Sequence, residues 1–585
     1  MKRILGTILG CLLLSWPLAA SSTDGAGFTI HLCGDSTMAE KDLKGGTNPE
    51  RGWGMMFPNF VQGAKVINYA QNGRSTKSFI DQGYWDKVMA NLQEGDWVFI
   101  EFGHNDSKES DPARYCAPFG AYQDNLRRFI SDCRSKGANP VLLTPLARRL
   151  FKDGKAIRNN HGDYPEAVKQ VAAEQGVPLL DMTTASLEWL DSLGPEESKK
   201  YYMTSSGKPG DNTHTNIAGA KAIAELVCAE IKRVAESGEG LNGASLDALK
   251  AVLIDGSRGM VVSADGHGDF LSIQEAIDAA PDFSHGEWTV IRVREGIYNE
   301  CVSIPANKRM LRICGDGAGS TIIRGGKFAR QIWPAAGFEV GTSGSATMFI
   351  CADDIILEDI SVENTAGEGK GIDQAVALLT NGDRILLRRC HFIGNQDTVY
   401  TYGRWAEDGG IMRVCFLDCH IEGTTDFIFG PSIAWFQGCT IHSKKNSYVT
   451  AASTLKGQSY GYVFKDCRLT APEGIGKCYL GRPWGAYAKT VFIGCELGSH
   501  ILPEGWHDWE RPGKPDSKKN SFYAEYDNSG PGAAGKKERV KWSRQLSGKQ
   551  AAAYTLEKVF SREALPDRDG KNKPFAKDWN PLEVK

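Results

Sequence analysis

The chain is 585 residues long, more than one ordinary domain holds, and its 41% hydrophobic and 24% charged residues are those of a globular protein. A formal net charge of −3 with no basic tail gives no support to nucleic-acid binding. It leaves polyanionic sugars open, because local basic residues can bind those whatever the total.

The chain begins with Lys2 and Arg3, an apolar run from Ile4 to Leu14, and then small residues. This order predicts a secretory signal over residues 1–22, cleaved near Ala20 to Ser22. Cys11 raises lipoprotein processing as an alternative, disfavoured because the apolar core continues past it. No other run approaches the ~20 apolar residues of a membrane span. An exported, soluble protein is therefore expected, secreted or periplasmic, a monomer without a membrane partner. Neither a CxxC nor an HExxH spacing occurs, so no metal site is expected.

From 27 to 236, short apolar runs alternate with helical stretches. "FTIHLC", "WVFIEF", "PVLLTP" and "VPLLDM" read as strands, "AYQDNLRRFISDCRSKG" and "NIAGAKAIAELVCAEIKRV" as amphipathic helices. That alternation predicts an α/β/α sandwich with a parallel sheet covered on both faces. Ser36 follows the first strand in "HLCGDSTM", "GHND" (Gly103 to Asp106) follows the second, and "GDNTHTN" holds Asp211 and His214 just before a helix. Ser, Asp and His in loops at element ends can make a nucleophile, an orienter and a base. Each piece alone is weak, since a Gly-Asp-Ser turn is usually only a turn and a lone DxxH usually lies on a surface. Together they resemble the SGNH (GDSL-like) hydrolases, near the rhamnogalacturonan acetylesterase branch with its "GDST" form. The resemblance implies Ser36 as nucleophile, His214 as base and Asp211 as orienter. It implies an oxyanion hole from the backbone N–H of Ser36, that of Gly73 in "NYAQNGRST", and the Asn105 side chain. Asp35 matches the family residue beside the serine and has no separate role. The likeness says little about substrate, because these hydrolases also cleave lipid esters and thioesters.

Residues 237–257 are Gly- and Ser-rich at both ends and are expected as a linker. After them helices nearly vanish, apart from "SIQEAIDAA", and a repeat begins. "ILEDISVEN", "LLRRCHFIGN", "CFLDCHIEG", "WFQGCTIHS", "VFKDCRLTA" and "VFIGCELGS" share apolar residues, a polar step and a marker. The markers are Ile360, Cys390, Cys419, Cys439, Cys467 and Cys495, separated by 30, 29, 20, 28 and 28. Short strands at that spacing without helices predict a right-handed parallel β-helix. Its cysteines would stack inward as buried free thiols, with a disulfide ladder as the alternative. "CGDGAGST" lacks the Lys of a phosphate loop and reads as a turn of this repeat.

Two aspartates keep the same register. Asp397 in "GNQDTVY" follows Cys390 by seven residues, and Asp426 in "GTTDFIFG" follows Cys419 by seven. On adjacent rungs they would lie about 4.7–4.9 Å apart. Repulsion at that range raises one pKa and leaves one carboxylate as nucleophile, the other as acid. The bland reading is two turn caps. "GNQDTVY" and "GTTDFIFG", with "SADGHGDFLSIQEAIDAAP", "GIYNE", "QAVAL" and "LGRPW", resemble the pectin methylesterase signatures in family order, over about 258–562. That resemblance implies Asp426 as the nucleophile on a galacturonate methyl ester and Asp397 as the acid and then the base. It also implies Gln374 and Gln396 as oxyanion donors, Arg482 as the cation keeping the nucleophile ionised, and Trp484 as a sugar-stacking ring. Thr425 stands where many members have Val or Ile.

The expectation is an exported pectin esterase with two centres needing no cofactor: an acetylesterase domain at 27–236, a methylesterase β-helix at 258–562, and a tail at 563–585. Pectin carries both ester types, which links the halves by association. The alternatives are a β-helix that only binds polysaccharide, or a first domain that cleaves lipid or other carboxylic esters.

Overall fold

The computed structural model describes residues 27–238, 246–254, 259–335, 337–403, 412–509, 517–565 and 577–584. The expected signal at 1–22 lies outside the described residues. The chain divides into two units, residues 1–256 and 257–585.

In the first unit, β1 (Thr29–Gly34), β2 (Lys65–Asn68), β3 (Trp97–Glu101), β4 (Asn139–Leu143) and β5 (Leu179–Leu180) form a parallel sheet in the order β2-β1-β3-β4-β5. Its strands are apolar on both sides because both faces are covered. Ile30, Leu32, Phe99 and Val141 share a core with Ile223 and Val227 of the helix Ile217–Ser237. The alternate residues Cys33, Val98, Ile100 and Leu142 pack with Phe129 and Val168 of the helices Gln123–Ser135 and Tyr164–Gln175. Sequence reading finds four of these strands and misses β2, "KVIN", an edge strand that is only half-buried. The strand order turns at β1 and β3, so their carboxyl ends flank the crevice where open α/β sheets take ligands.

The stretch expected as a linker holds a helix, Asp247–Val252, seated on this first core by Leu246 and Leu249. Its end is tied down by Gln62 N–H donating to Val252 O and Ile254 N–H donating to Phe60 O, both 2.8 Å. The apolar spacing of "SLDALKAVL" is helical, and the flanking glycines and serines obscure it.

The second unit is a parallel β-helix, with sheets of eleven, eight and seven strands among the described residues. Each full coil between Thr289–Val293 and Tyr479–Gly481 contributes one strand to each sheet in turn. The polar step before each marker is a corner in left-handed conformation: Asp359, Arg389, Asp418, Gly438, Asp466 and Gly494 have φ of 57, 51, 53, 65, 52 and 65°. Gly adopts that φ freely and Asp more readily than most residues. The corner turns each marker inward, and Ile360, Cys390, Cys419, Cys439, Cys467 and Cys495 are all at most 2% exposed. The cysteines are free thiols. Cys419 and Cys467 donate to carbonyls of the preceding rung, Leu387 and Phe436, each at 3.4 Å. Next to them Phe416, Phe436, Phe464 and Phe492 stack at 4.5, 4.4 and 4.3 Å between ring centres.

The outer face of the eleven-stranded sheet is apolar at Ile356, Leu386, Ile433, Trp435 and Val463, and Leu556, Val559, Phe560, Leu565 and Trp579 cover it. Part of the stretch expected as a tail therefore belongs to a core. Arg413 is fully buried there, its Nε and Nη2 on Asp383 at 2.9 and 2.8 Å and its Nη1 donating to Phe560 O and Lys577 O, both 2.6 Å.

Candidate active sites

In the second unit, Asp397 and Asp426 each stand two residues before a strand of the seven-stranded sheet, Val399–Thr401 and Ile428–Gly430, whose register pairs Val399 with Ile428. The pairing continues past the strands, with Asp397 N–H donating to Thr425 O at 3.1 Å and Val399 N–H to Phe427 O at 2.8 Å. The aspartates thus hold equivalent positions on neighbouring rungs. Both are in left-handed conformation, φ 66° and 50°, so each is a turn residue as well as a site residue. Asp426 does not stand in a strand interior; it ends the turn that enters one.

Both carboxyls are buried, at 8% and 6% exposure. Arg482 grips Asp426 with two parallel hydrogen bonds, Nε to Oδ1 at 3.0 Å and Nη2 to Oδ2 at 2.6 Å. A bidentate guanidinium favours the ionised carboxylate. Asp397 differs: burial, and then the charge of Asp426, raise its pKa well above the ordinary carboxylate value, with Arg482 opposing. Rung stacking thus yields one anion and one proton-holding acid.

These residues line a cavity of about 530 Å³ together with Gln374, Gln396 and Trp484. Gln396 O accepts from Ala375 N at 3.1 Å, which ties the backbones carrying the two glutamines together. Tyr400 and Phe429 stack at 4.1 Å between centroids, with Trp484 tilted 5.9 Å from Phe429, forming an aromatic wall. Sequence reading missed Tyr448 and Trp509, whose rings flank the Arg482 guanidinium at 3.9 and 3.8 Å. They orient the cation through its flat faces. It also missed the wall formed by the short helical turn Gly341–Gly344, whose hydroxyl residues Thr342 and Ser343 carry no motif.

In the first unit, Ser36 leaves β1, Gly73 lies beyond β2, and Asn105 follows β3. Ser36 Oγ lies 2.9 Å from His214 Nε2, and His214 Nδ1 lies 2.9 Å from Asp211 Oδ2. Burial opposes the charge of Asp211, but the backbone N–H and ring of His214 outweigh it and hold its pKa below the ordinary value. The backbone N–H groups of Ser36 and Gly73 find no acceptor among the described residues. Gly73 has φ 76°, a left-handed turn that suits Gly. Asn105 spends one amide hydrogen on Arg74 O at 3.0 Å, and its Oδ1 accepts from Lys108 Nζ at 2.9 Å. The other amide hydrogen remains for a ligand.

Beneath Ser36 lies a carboxyl pair, of which sequence reading noted only Asp35. Asp35 Oδ1 accepts from Thr37 N and Thr37 Oγ1, both at 3.0 Å, and the same hydroxyl lies 3.2 Å from Glu101 Oε1. Trp53 Nε1 donates to Glu101 Oε2 at 2.7 Å. Burial, and then the charge of Asp35, raise the Glu101 pKa to about 8. Glu101 stands inside the apolar run "WVFIEF", between Ile100 and Phe102, and a carboxylate in such a run was the available signal.

Comparison with known proteins follows the same division. The pectinesterase family model matches residues 259–563, and the GDSL-like lipase/acylhydrolase family model matches residues 32–222. Pectinesterase 31 of Arabidopsis thaliana is 36% identical over 297 residues, 50% of this chain and 89% of that protein. Probable pectinesterase/pectinesterase inhibitor 64 of Arabidopsis thaliana is 37% identical over 309 residues, 49% of this chain and 48% of that protein, so the chain spans about half the length of this relative. The solved pectin methylesterase from carrot is 32% identical, over 51% of this chain and 92% of its own, with a TM-score of 0.46.

Proposed function

The chain belongs to the pectinesterase family through residues 259–563 and carries a GDSL-like acylhydrolase domain at 32–222, and from that premise we propose that it is an exported two-centre pectin esterase. The observation that carries the reading is the unequal carboxyl pair on neighbouring rungs, an Asp426 gripped by Arg482 beside a buried Asp397 whose pKa is pushed upward.

In the second unit, the Asp426 carboxylate attacks the carbonyl carbon of a galacturonate methyl ester. The amides of Gln374 and Gln396 donate to the developing oxyanion. Collapse breaks the C–O bond to the methoxy group, which leaves as methanol with the proton of Asp397 and leaves an acyl–Asp426 anhydride. Asp397, now an anion, takes a proton from water. The hydroxide adds to the acyl carbon, releasing the galacturonate acid and the Asp426 carboxylate. Trp484 offers a sugar ring its apolar face.

In the first unit, His214 takes the proton of Ser36 as Oγ attacks an acetyl carbonyl, and Asp211 holds the imidazole in the productive tautomer. The N–H groups of Ser36 and Gly73 and the free amide hydrogen of Asn105 receive the oxyanion. The acetyl-pectin substrate is supported by association with the second unit.

Methanol and acetate measured in parallel from native pectin test both centres. Asp426→Asn should lower methanol release by roughly a thousandfold or more and leave acetate release intact; Ser36→Ala should do the converse. Loss of both products in either variant overturns the two-centre reading. Hydrolysis of lipid esters in preference to acetylated pectin overturns the substrate of the first.

A further inference from the structure

A hairpin rises beside the cavity of the second unit. Ile332 bridges Glu339 in antiparallel register, flanked by Trp333 N–H donating to Phe338 O at 2.8 Å and Val340 N–H donating to Gln331 O at 2.7 Å. That register sets Trp333 opposite Phe338. Alternate residues of a strand share a face and cross-strand partners lie on the same side, so Trp333 and Phe338 belong to one face, Ile332 and Glu339 to the other. Val340 lines the catalytic cavity. The hairpin thus leads into the cavity wall at Val340, where the chain turns helical, and carries two aromatic rings just before it.

Those rings are left to solvent, Trp333 at 42% exposure and Phe338 at 66%. Two large rings exposed on one hairpin mark a binding surface more often than isolated apolar residues do. The hairpin base is anchored to the site: Ala329 N–H donates to Gln374 O at 2.8 Å, Gly341 N–H to Ala329 O at 2.9 Å, and Arg330 Nε bonds Asp373 Oδ2 at 2.6 Å. Lys327 Nζ lies 5.3 Å from the centroid of the Trp333 ring. An aromatic face for the C–H side of a sugar and an ammonium beside it for a carboxylate are what a uronic-acid unit requires.

We infer that this face of the hairpin is an outer subsite for a uronic-acid oligosaccharide chain, whose rings lie on Trp333 and Phe338 while Lys327 meets a free carboxylate. The inference rests on the pectinesterase reading of the cavity and names where the rest of the polymer lies while one residue reacts.

Chain length separates this role from a structural one. In the full-length protein, Trp333→Ala and Lys327→Met should raise KM for methyl-esterified polygalacturonate about 5- to 10-fold. They should leave kcat unchanged and leave KM for a methyl-esterified trimer unchanged, and Trp333→Phe should restore most of the loss. An unchanged polymer KM in both variants, or an equal rise for the trimer, overturns the subsite. Calorimetric titration with ester-free polygalacturonate gives a second arm that needs no turnover. There both variants should bind more weakly by the same factor, and unchanged affinity overturns the subsite. A wild-type protein that binds polygalacturonate through these residues but releases no methanol would overturn the proposed reaction and leave the subsite standing.

Discussion

Asp397 is buried against another carboxylate, and its protonation links catalysis to stability. As the leaving-group acid it must hold its proton, so methanol release should decline as pH rises through its elevated pKa, a limb visible in a kcat–pH profile. The linkage sign is the same. A carboxyl whose folded pKa is raised contributes stability fully present below its unfolded pKa, and that contribution is lost as pH climbs towards the folded value. Asp397→Asn should therefore abolish turnover yet stabilise the second unit at pH 7, with the gain shrinking near pH 4; thermal unfolding at the two pH values checks it. Glu101 in the first unit gives the parallel case with a stated window. Its contribution should fade from about the ordinary carboxylate value up to about 8 and stay flat beyond, and Glu101→Gln should flatten that slope in the first unit's calorimetric transition. Arg482→Lys should cost about 10- to 100-fold in kcat, because a lysine offers neither the paired hydrogen bonds to Asp426 nor flat faces for Tyr448 and Trp509. The pairing of the two aspartates was legible because the repeat counted them: seven residues after a marker, twice. Tyr448 and Trp509 were not, since they reach the site from other parts of the chain and carry no motif. Glu101 carried a signal of its own, a carboxylate set directly against apolar residues in "WVFIEF".

The unit of construction in the β-helix is a corner followed by an inward marker. Asp418 illustrates it with φ 53°, directly before Cys419. A β-branched residue is strained there, so Asp418→Val should destabilise the second unit by about 1–2 kcal/mol, whereas Asp418→Gly should be nearly neutral; urea unfolding of both variants makes the comparison. The aromatic stack behind the corners carries more. Phe436 is fully buried between Phe416 and Phe464, and Phe436→Ala should cost about 3–5 kcal/mol by the same measurement. These elements could be read from the chain because a polar corner and a small marker recur at nearly constant spacing. The helix Asp247–Val252 could not, because six residues give too little periodicity against Gly-rich flanks. β2 escaped for a related reason: an edge strand of four residues, none of them fully buried, has no apolar run to betray it.

Each unit has its own core and its own cluster of candidate site residues. Substitutions within one core are accordingly expected to leave the other unit's calorimetric transition in place, and Phe436→Ala should lower one melting temperature only. The division into an α/β half and a coiled half was legible from the change of rhythm near 237–257. What lay hidden was where the coil is closed. Arg413, fully buried, gives Nη1 to the carbonyls of Phe560 and Lys577. A ribosome delivers Arg413 well over a hundred residues before those acceptors emerge. The nascent coil must therefore wait with Trp435 and its neighbours bare and a guanidinium half-satisfied until Phe560 and Lys577 have been made. A chain stalled before them would leave an adhesive flank for chaperones or proteases to find.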